Sequence, residues 1–438
     1  MRDVDWRSSY PTWTFSLSRA RNALAADLIS LGFFLDHRRV LSLCFLLCMM
    51  SVLGQTGFLG MFTPAIRREF GLSHGEYGGL YSLATLVSGL TMPFWGHLLD
   101  RMRWSTVAQG LLASLALAAL ILAAAPLIWA LPLGIYAMRA AGQGLLPHAA
   151  MIAVNRSFST DRGKAVAAVS LGGPIGDAIF PAAAVLLLAL LDWRWVLFCF
   201  ALLALLAAFA LAFLLARVDG QLRQLTEPPQ HHDDKSITGV SPRQAYRDWR
   251  FWAISLALGA PPAIAAGTFF HQLHLAELKG WAVPEFARAY ALMGIATIAA
   301  LFAFGALADR FSSLRLLLPT LPWQALGLLL LGFVDGEWVV FPYLLLFGVT
   351  NGANWALSGL VIGEVFGLRN LGAIRGAYLG VAVIGTAIGP WLLGELLDQG
   401  HGARGVAIAC LLVSLAAGIA AAALALSASR NAVTRQRP

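Results

Sequence analysis

Charged residues are scarce in this sequence, at 12% of the 438 residues, whereas 58% are hydrophobic. Soluble globular domains carry about 25% charged residues, and this chain has more apolar surface than a water-exposed fold could bury. Lipid must therefore solvate much of the chain, which indicates a membrane protein.

Cysteine and the short motifs of soluble enzymes are also scarce. The four cysteines, Cys44, Cys48, Cys199 and Cys410, all lie in apolar stretches and imply no disulfide framework. The sequence has no phosphate-binding glycine loop that would couple it to ATP, and no polar catalytic cluster interrupts the apolar stretches. We therefore expect neither an enzyme nor a bound cofactor.

Two short groups of residues contain more than one histidine, and neither predicts a metal site. The run His-His-Asp-Asp at 231–234 lies in a polar segment without further spaced ligands. His271, His274 and Glu277 step by three residues, so their side chains drift around a helix instead of converging. We expect no bound metal.

Twelve apolar stretches are long enough to cross a bilayer, which takes about 20 residues. They cover approximately residues 40–66, 77–98, 105–125, 127–154, 164–190, 195–216, 250–276, 286–308, 315–334, 338–364, 373–396 and 404–428. They predict an all-α membrane protein with twelve transmembrane helices in two six-helix bundles. The divisions are a tail (1–39), a first bundle (40–216), a linker (217–249), a second bundle (250–428) and a tail (429–438).

A charged turn occurs twice at matching places. Gly96 begins the pattern G-x-x-x-D-R after the second stretch, and Gly305 begins the same pattern 209 positions later. A further glycine lies 25 residues before each of them, at Gly71 and Gly280. Two copies of one unit therefore make up the chain, which predicts pseudo-symmetric bundles.

This repeated turn resembles the signature loop of the major facilitator superfamily of secondary transporters, over nearly the whole chain from about Val40 to Ser427. The resemblance implies the major facilitator fold and transport by alternating access, in which two bundles rock about a central site. The residues expected to close the cytoplasmic side are Gly96, Asp100, Arg101 and Arg103, with Gly305, Asp309 and Arg310 as counterparts.

Basic residues follow a membrane topology. Of the 31 lysines and arginines, 24 fall in the termini and even-numbered connections, six in odd-numbered connections, and one, Arg139, within a span. By the positive-inside rule both termini and the linker are cytoplasmic, in the cell (inner) membrane. This dispersal accounts for the net charge of +8 without a nucleic-acid partner, and we expect a monomer.

The first stretch ends in a sequence that resembles one branch of the superfamily. Residues 62–73 read F-x-P-x-I-x-x-E-F-G-L-S after a Gly-Gln-Thr-Gly run at 54–57, which is similar to monocarboxylate and oxalate/formate exchangers. The lysine that monocarboxylate carriers often place in helix 1 is absent, and Gln55 is the polar group there instead. Oxalate/formate exchangers place basic residues within helices 8 and 11. Here Arg288 and Arg375 lie at helix ends, which argues against a small dianion.

Charges within the spans are the leading candidates for a site. Tyr136, Arg139 and Gln143 share one face of the fourth helix, and residues 139–144 resemble the superfamily's helix-4 motif R-x-x-x-Q-G. Asp177 in the fifth stretch lies within about 4.5 Å of the same depth, so the two charges could meet. We predict that Arg139 holds a substrate carboxylate while Asp177 exchanges a proton. The alternative is a permanent pair that joins two helices.

Other polar groups near mid-span are candidates for the same cavity, with interface anchoring or helix–helix contacts as alternatives. They are Gln55, His271, Asn351 and Asn354. The expected function is a proton-coupled secondary transporter of a small organic anion, with a monocarboxylate as substrate. The alternative is a proton-driven antiporter that exports amphipathic compounds, which the 14 tryptophans, the 25 phenylalanines and a Gly-Pro pair at 173–174 favour.

A cysteine introduced at Ser236 tests the orientation. Because the linker is predicted to be cytoplasmic, the Ser236→Cys variant should resist a membrane-impermeant thiol reagent applied to intact cells and should react after permeabilisation. Rapid labelling in intact cells would place the linker outside.

Overall fold

The computed structural model describes residues 32–100, 102–158, 161–216, 239–308, 310–367 and 369–435. Helices occupy all twelve predicted stretches, and we number them α1 to α12. Within these ranges the backbone forms no β-strand, and its only β-pairing is an isolated bridge between Gly239 and Gly367. The prediction of an all-α fold is confirmed.

The first half contains α1 to α6, of which α1, α4 and α5 are interrupted. The pieces of α1 are Arg38–Met50, Ser51–Gly54, Thr56–Leu59, Gly60–Phe62 and Thr63–Phe70. They are followed by α2 (His74–Asp100), α3 (Trp104–Ala123), α4 (Ala130–Met138, Arg139–Leu145 and Leu146–Ser157), α5 (Arg162–Ser170 and Gly172–Leu188) and α6 (Trp193–Ala216).

The second half begins with a short linker helix, Pro242–Arg247, and contains α7 to α12. Their bounds are α7 (Trp249–Phe270, extended by Gln272–Leu278), α8 (Val283–Ala308), α9 (Ser313–Phe333), α10 (Val340–Phe366), α11 (Leu371–Asp398) and α12 (Gly402–Arg435).

Nine of the described helices are long and apolar enough to cross a membrane. The two parts of α1, which meet at 45°, form a tenth candidate. The other two predicted spans correspond to α2, a helix of 27 residues, and to α4, which a π-helical stretch divides. A multi-pass membrane protein is therefore confirmed.

The two halves repeat one backbone feature at the two glycines that the sequence repeat pairs. Gly71 ends α1 with a φ of +64°, and Gly280 follows α7 with a φ of +66°. This left-handed conformation is one that glycine adopts at little cost. The repeat read from the sequence therefore corresponds to equivalent helix ends.

Helix α5 is interrupted just before Pro174. The helix stops at Ser170 and resumes at Gly172. Proline has no N–H, so the carbonyl of Ser170, four residues earlier, lacks its usual donor.

Twelve alternating spans place the linker helix and the end of α12 on one side of the membrane, which we call the linker side. The opposite side, where α1 ends at Gly71, is called the far side. Contacts between the two halves crowd the far side. There, α2 packs on α11, where a Cβ on Gly78 would lie 2.6 Å from the Pro390 carbonyl oxygen. Nearby, α1 packs on α7, where Gly60 abuts the Phe269 carbonyl. The far side is therefore closed.

Deeper in the membrane, α5 packs on α8 in a second contact between the halves. A Cβ on Gly294 would meet the side chain of Ala178. At a similar level in the α2–α11 pair, the Ser82 hydroxyl donates to the carbonyl of Ala387. Small residues thus bring the helices of the two halves into backbone-distance contact.

Within the first half, α1 and α4 make their closest approach at two glycines. A Cβ on Gly142 would lie 2.6 Å from the Cα of Gly54, closer than packed atoms allow. Gly110 in α3 has open space around it, so it provides a matched position in the same bundle.

We expect Gly142→Ala to lower the stability of the protein by about 1–3 kcal/mol, because the added methyl group forces the two helices apart. Gly110→Ala should leave stability unchanged or raise it, because alanine is the better helix former. Thermal unfolding of both variants in detergent measures the difference. Equal midpoints would show that α1 and α4 do not require this contact.

Candidate functional site

The break in α1 lies at Gln55, whose backbone is extended (φ −81°, ψ 154°) between two helical pieces. An interruption of this kind frees backbone groups from helical hydrogen bonding. Inside a membrane no bulk water can pair with them, so protein groups must do so. The residues that pair with the broken ends therefore define the centre of the molecule.

Arg139 is one of these residues. Its side chain is 1% exposed, and its Nη1 donates to the Gly54 carbonyl oxygen at 3.3 Å and to the Thr56 hydroxyl at 3.0 Å. These two acceptors lie on either side of Gln55. The arginine of α4 thus bridges the break in α1.

The remainder of the Arg139 guanidinium faces an aromatic neighbour. Its central carbon lies 5.3 Å from the centre of the Tyr81 ring, and the Tyr81 hydroxyl donates to Thr56 at 2.8 Å. The Nε and Nη2 groups of Arg139 have no hydrogen-bond partner among the described residues. Nε–H and one terminal N–H₂ form the edge with which arginine binds a carboxylate in two parallel hydrogen bonds.

The backbone of α4 is itself irregular at this level. Residues Arg139–Leu145 form a π-helical stretch, a feature that is frequent at functional sites. This stretch packs against the break, because a Cβ on Gly54 would lie 2.3 Å from the Met138 carbonyl oxygen and 2.7 Å from the Gln143 nitrogen. A broken helix and a bulged helix therefore meet at Arg139.

The remaining predicted cavity residues lie on several helices. Gln55 and Gln143 are half-buried and flank the contact between α1 and α4. The Tyr136 hydroxyl accepts from Trp95 Nε1 at 3.1 Å, which ties α4 to α2. Asn351 and Asn354 are half-buried on α10 in the second half.

Asp177 does not meet Arg139, and the expectation of a pair is wrong for this conformation. No ion pair or hydrogen bond joins the two among the described residues. Similar depth was the basis of the expectation, but depth does not fix the direction that a side chain takes around its helix. Asp177 instead lies beside α8, where the next residue, Ala178, packs against Gly294.

Tyr290 of α8 lies beside the helical piece of α1 that follows the break. A Cβ on Gly57, just after the break, would lie 2.5 Å from the Tyr290 hydroxyl. Gln272 of α7 donates through Nε2 to the Gly57 carbonyl at 2.9 Å. The first piece of α1 is therefore held by α4, and the second piece is held by α7 and α8.

His271 lies at the far-side contact instead of beside Arg139. It is 1% exposed, and its Nε2 lies 2.8 Å from the Pro390 carbonyl oxygen of α11. The helical backbone of α7 is interrupted at His271, which places the side chain at the seam between the halves. Its predicted role as a cavity group is not supported by this position.

The predicted closing residues of the linker side fall largely outside the described part. Arg101 and Asp309 are among the residues that the structure does not describe, and it describes neither the side chain of Asp100 nor the surroundings of Gly96. Arg103 and Arg310 are exposed, and Gly305 has open space around it. The closing role of this set stays a prediction.

Sequence reasoning missed four residues that the structure places at the break. They are Thr56, Tyr81, Gln272 and Tyr290. Thr56 adjoins Gln55, so a polar pair in an apolar stretch was a usable signal. Tyr81, Gln272 and Tyr290 carry no local signal, because their importance comes from helices that are distant in sequence.

Comparisons with known proteins agree with this architecture. The family model described as Major Facilitator Superfamily matches residues 44–282 and 263–438. A Thermoproteus tenax protein described as an uncharacterized 38 kDa protein in the 23S RNA operon is 28% identical over 383 residues, covering 86% of this chain and 92% of its own.

Solved structures share the fold at low identity. The nucleoside transporter NupG is 14% identical with a TM-score of 0.70, over 88% of this chain and 98% of its own. A bacterial homologue of the human lysosomal transporter Spinster, in an inward-facing and unoccupied conformation, is 16% identical with a TM-score of 0.65. The match covers 88% of this chain and 96% of the homologue. With the repeated turn, the broken first helix and the family match in agreement, this chain belongs to the major facilitator superfamily and is a membrane transporter, not an enzyme.

Proposed function

We propose that this transporter carries a small organic anion of the monocarboxylate class together with a proton, and that Arg139 binds the carboxylate. The observation that supports this proposal is the free Nε and Nη2 edge of a buried arginine at the centre of the first bundle. A buried cation without an acidic partner is costly. An anionic substrate would supply the missing charge.

The geometry of Arg139 divides its donors between two tasks. Nη1 is occupied by Gly54 and Thr56 on α1, which fixes the plane of the guanidinium. The opposite edge, Nε and Nη2, has the spacing that suits two carboxylate oxygens. Gln55 and Gln143, both half-buried nearby, are the neighbours that we assign to the rest of the substrate.

Access to a side chain that is 1% exposed requires local movement. The break at Gln55 and the π-helical stretch of α4 are the two irregular backbone segments that lie against Arg139. Irregular helical segments of this kind rearrange with less loss of hydrogen bonding than a continuous helix. We assign substrate entry to the separation of these two elements.

Asp177 is the proposed proton carrier, and it acts without touching Arg139. An anion on Arg139 and a proton on Asp177 give a neutral pair of sites. When neither ligand is bound, the positive charge of Arg139 and the negative charge of the ionised Asp177 also sum to zero. Either ligand alone leaves one uncompensated charge in the membrane, which costs several kcal/mol. Charge balance would therefore couple one proton to one anion.

The position of Asp177 suits this role, because it lies beside the contact between the halves. The next residue, Ala178, packs against Gly294 of α8. A neutral carboxyl group is compatible with this packed contact. An ionised carboxylate instead favours separation of α5 from α8 and hydration.

The resemblance of residues 62–73 to monocarboxylate and oxalate/formate exchangers supports the substrate class. The interiors of α8 and α11 lack the basic residues of the oxalate/formate type, because Arg288 and Arg375 lie near the helix ends. This favours a single carboxylate. We further propose a monomer in the cell (inner) membrane with both termini cytoplasmic, on the distribution of basic residues.

Arg139→Lys should reduce uptake of a radiolabelled monocarboxylate into proteoliposomes at least about 100-fold, equivalent to about 2.7 kcal/mol. One ammonium group cannot reproduce the two-pronged edge. Initial rates in proteoliposomes with an imposed proton gradient provide the measurement.

Arg288→Lys is the matched control, because Arg288 is exposed and pairs with Glu285 at the start of α8. It should transport as the unmodified protein does. If Arg139→Lys retained normal uptake at normal abundance, Arg139 would not be the anchor. If the unmodified protein exported amphipathic compounds and accumulated no monocarboxylate, the export alternative would replace this proposal.

Asp177→Asn should abolish accumulation of the anion against its gradient while leaving counterflow exchange intact, because the substituted amide cannot take up a proton. Parallel uphill and counterflow assays separate the two activities. Asp161→Asn is the control, since Asp161 lies just before α5 in an exposed pair with Lys164. Proton-driven accumulation by Asp177→Asn would refute the coupling role.

A further inference from the structure

Three histidines meet at the far-side seam between the halves, although they come from two separate parts of the chain. His74 begins α2, while His271 and His274 lie at the end of α7. The ring centres of His74 and His274 are 4.1 Å apart, and those of His74 and His271 are 5.5 Å apart. The α2–α11 and α1–α7 contacts that close the far side surround this group, which we call the histidine cluster.

Arg67 of α1 constrains the charge state of the cluster. Its Nη1 lies 2.8 Å from both ring nitrogens of His74, and an arginine N–H can only donate. At least one of these two ring nitrogens must therefore be an unprotonated acceptor. A proton there would remove the hydrogen bond and place two cations in contact.

The cluster is also packed against backbone that tolerates no expansion. His74 is 8% exposed and His271 is 1% exposed. The carboxylate of Asp398 accepts from the backbone nitrogens of His74 and Gly75 at 2.9 and 2.7 Å. A Cβ on Gly394 would lie 2.5 Å from the His74 carbonyl oxygen. A charged imidazole could be hydrated here only if the halves moved apart.

The titratable and charged groups around the cluster come from every element that packs on it. They are Arg67 on α1, Glu76 on α2, Glu277 on the extension of α7, and Glu395 and Asp398 on α11. Glu277 lies 3.5 Å from His274 Nδ1 and is the more exposed of the two. His274 therefore faces the far-side water, and His74 lies behind it.

We propose that the histidine cluster of His74, His271 and His274 is a proton-binding site of the far-side gate, and that proton binding and far-side closure exclude each other. Acid on the far side would then open the transporter towards that side. This proposal is independent of the anion at Arg139, because it concerns the protein without substrate.

The direction of the effect follows from the charges. Burial, and then the Arg67 guanidinium, lower the pKa of His74 to about 3 from 6.5 in the closed state. When the halves separate, His74 regains water and its ordinary pKa. The open state thus binds more protons, so closure is fully stable above pH 6.5 and weakens as the pH falls. For His74 alone, a change from pH 7.5 to 5.5 shifts the closed-to-open ratio about tenfold.

Distances across the far side test the proposal. Spin labels on Leu190→Cys, after α5, and on Gln399→Cys, after α11, report the separation of the halves in a protein whose four native cysteines are replaced. Double electron–electron resonance is measured in lipid nanodiscs at pH 7.5 and 5.5, without substrate. We expect the ratio of long to short distances to rise about tenfold or more at pH 5.5.

Two sets of variants identify the sensor. Replacing both His74 and His274 by glutamine should remove the pH response, whereas His401→Gln should leave it intact, since His401 is an exposed histidine on the same side, in the turn before α12. A response that survives in the double variant would overturn the proposal. An unmodified protein that shows no change with pH would also overturn it. A response that is lost in Asp398→Asn but kept in the double variant would assign the sensor to the Asp398 carboxylate instead.

Discussion

The break of α1 at Gln55 is the constraint around which the centre of this transporter is built. A membrane gives an interrupted helix no water to pair with its freed backbone groups. Arg139 of α4 pairs with the Gly54 carbonyl before the break, and Gln272 of α7 pairs with the Gly57 carbonyl after it. One discontinuous helix is thereby fastened to both halves, so its two pieces can follow different bundles.

Glycine makes this arrangement possible because the helices touch through their backbones. Gly54 and Gly142 bring α1 against α4, and Gly60 brings α1 against α7. At the far side the α2–α11 pair is closed in the same way at Gly78 and Gly394. Backbone-to-backbone contacts of this kind form only when the helices approach closely, and they are lost when the helices separate. This suits a gate that changes between two discrete states.

The separation of Arg139 from Asp177 changes how coupling would work. If Arg139 and Asp177 formed a direct pair, the anion and the proton would act at one place. A substitution of either residue would then remove the charge partner of the other. Separate sites interact through the total charge that the membrane must enclose and through the α5–α8 contact beside Asp177. The histidine cluster adds a third position, at the far-side seam, where charge and contact between the halves oppose each other.

The sequence by itself determined that lipid surrounds much of the chain, that the fold is all-α and that the chain contains two copies of one unit. Apolar stretches of about 20 residues leave no alternative to spanning helices, and the paired glycines at 71 and 280 identified equivalent helix ends because their left-handed backbone is a local property. Arg139 could be singled out from the sequence as well, since it is the one basic residue in the interior of a predicted span, away from the span ends.

Only the tertiary structure decided which side chains meet. The spacing of residues gives a depth along a helix axis, but it does not give the rotation of that helix or the identity of its neighbours. Arg139 and Asp177 have similar depths, but Arg139 bonds to Gly54 and Thr56 on α1, whereas Asp177 lies beside the contact of α5 with α8. His271 joined His74, a residue 197 positions away, because the packing of α2 and α7 against α11 sets the seam between the halves, and no local pattern in the chain encodes that packing.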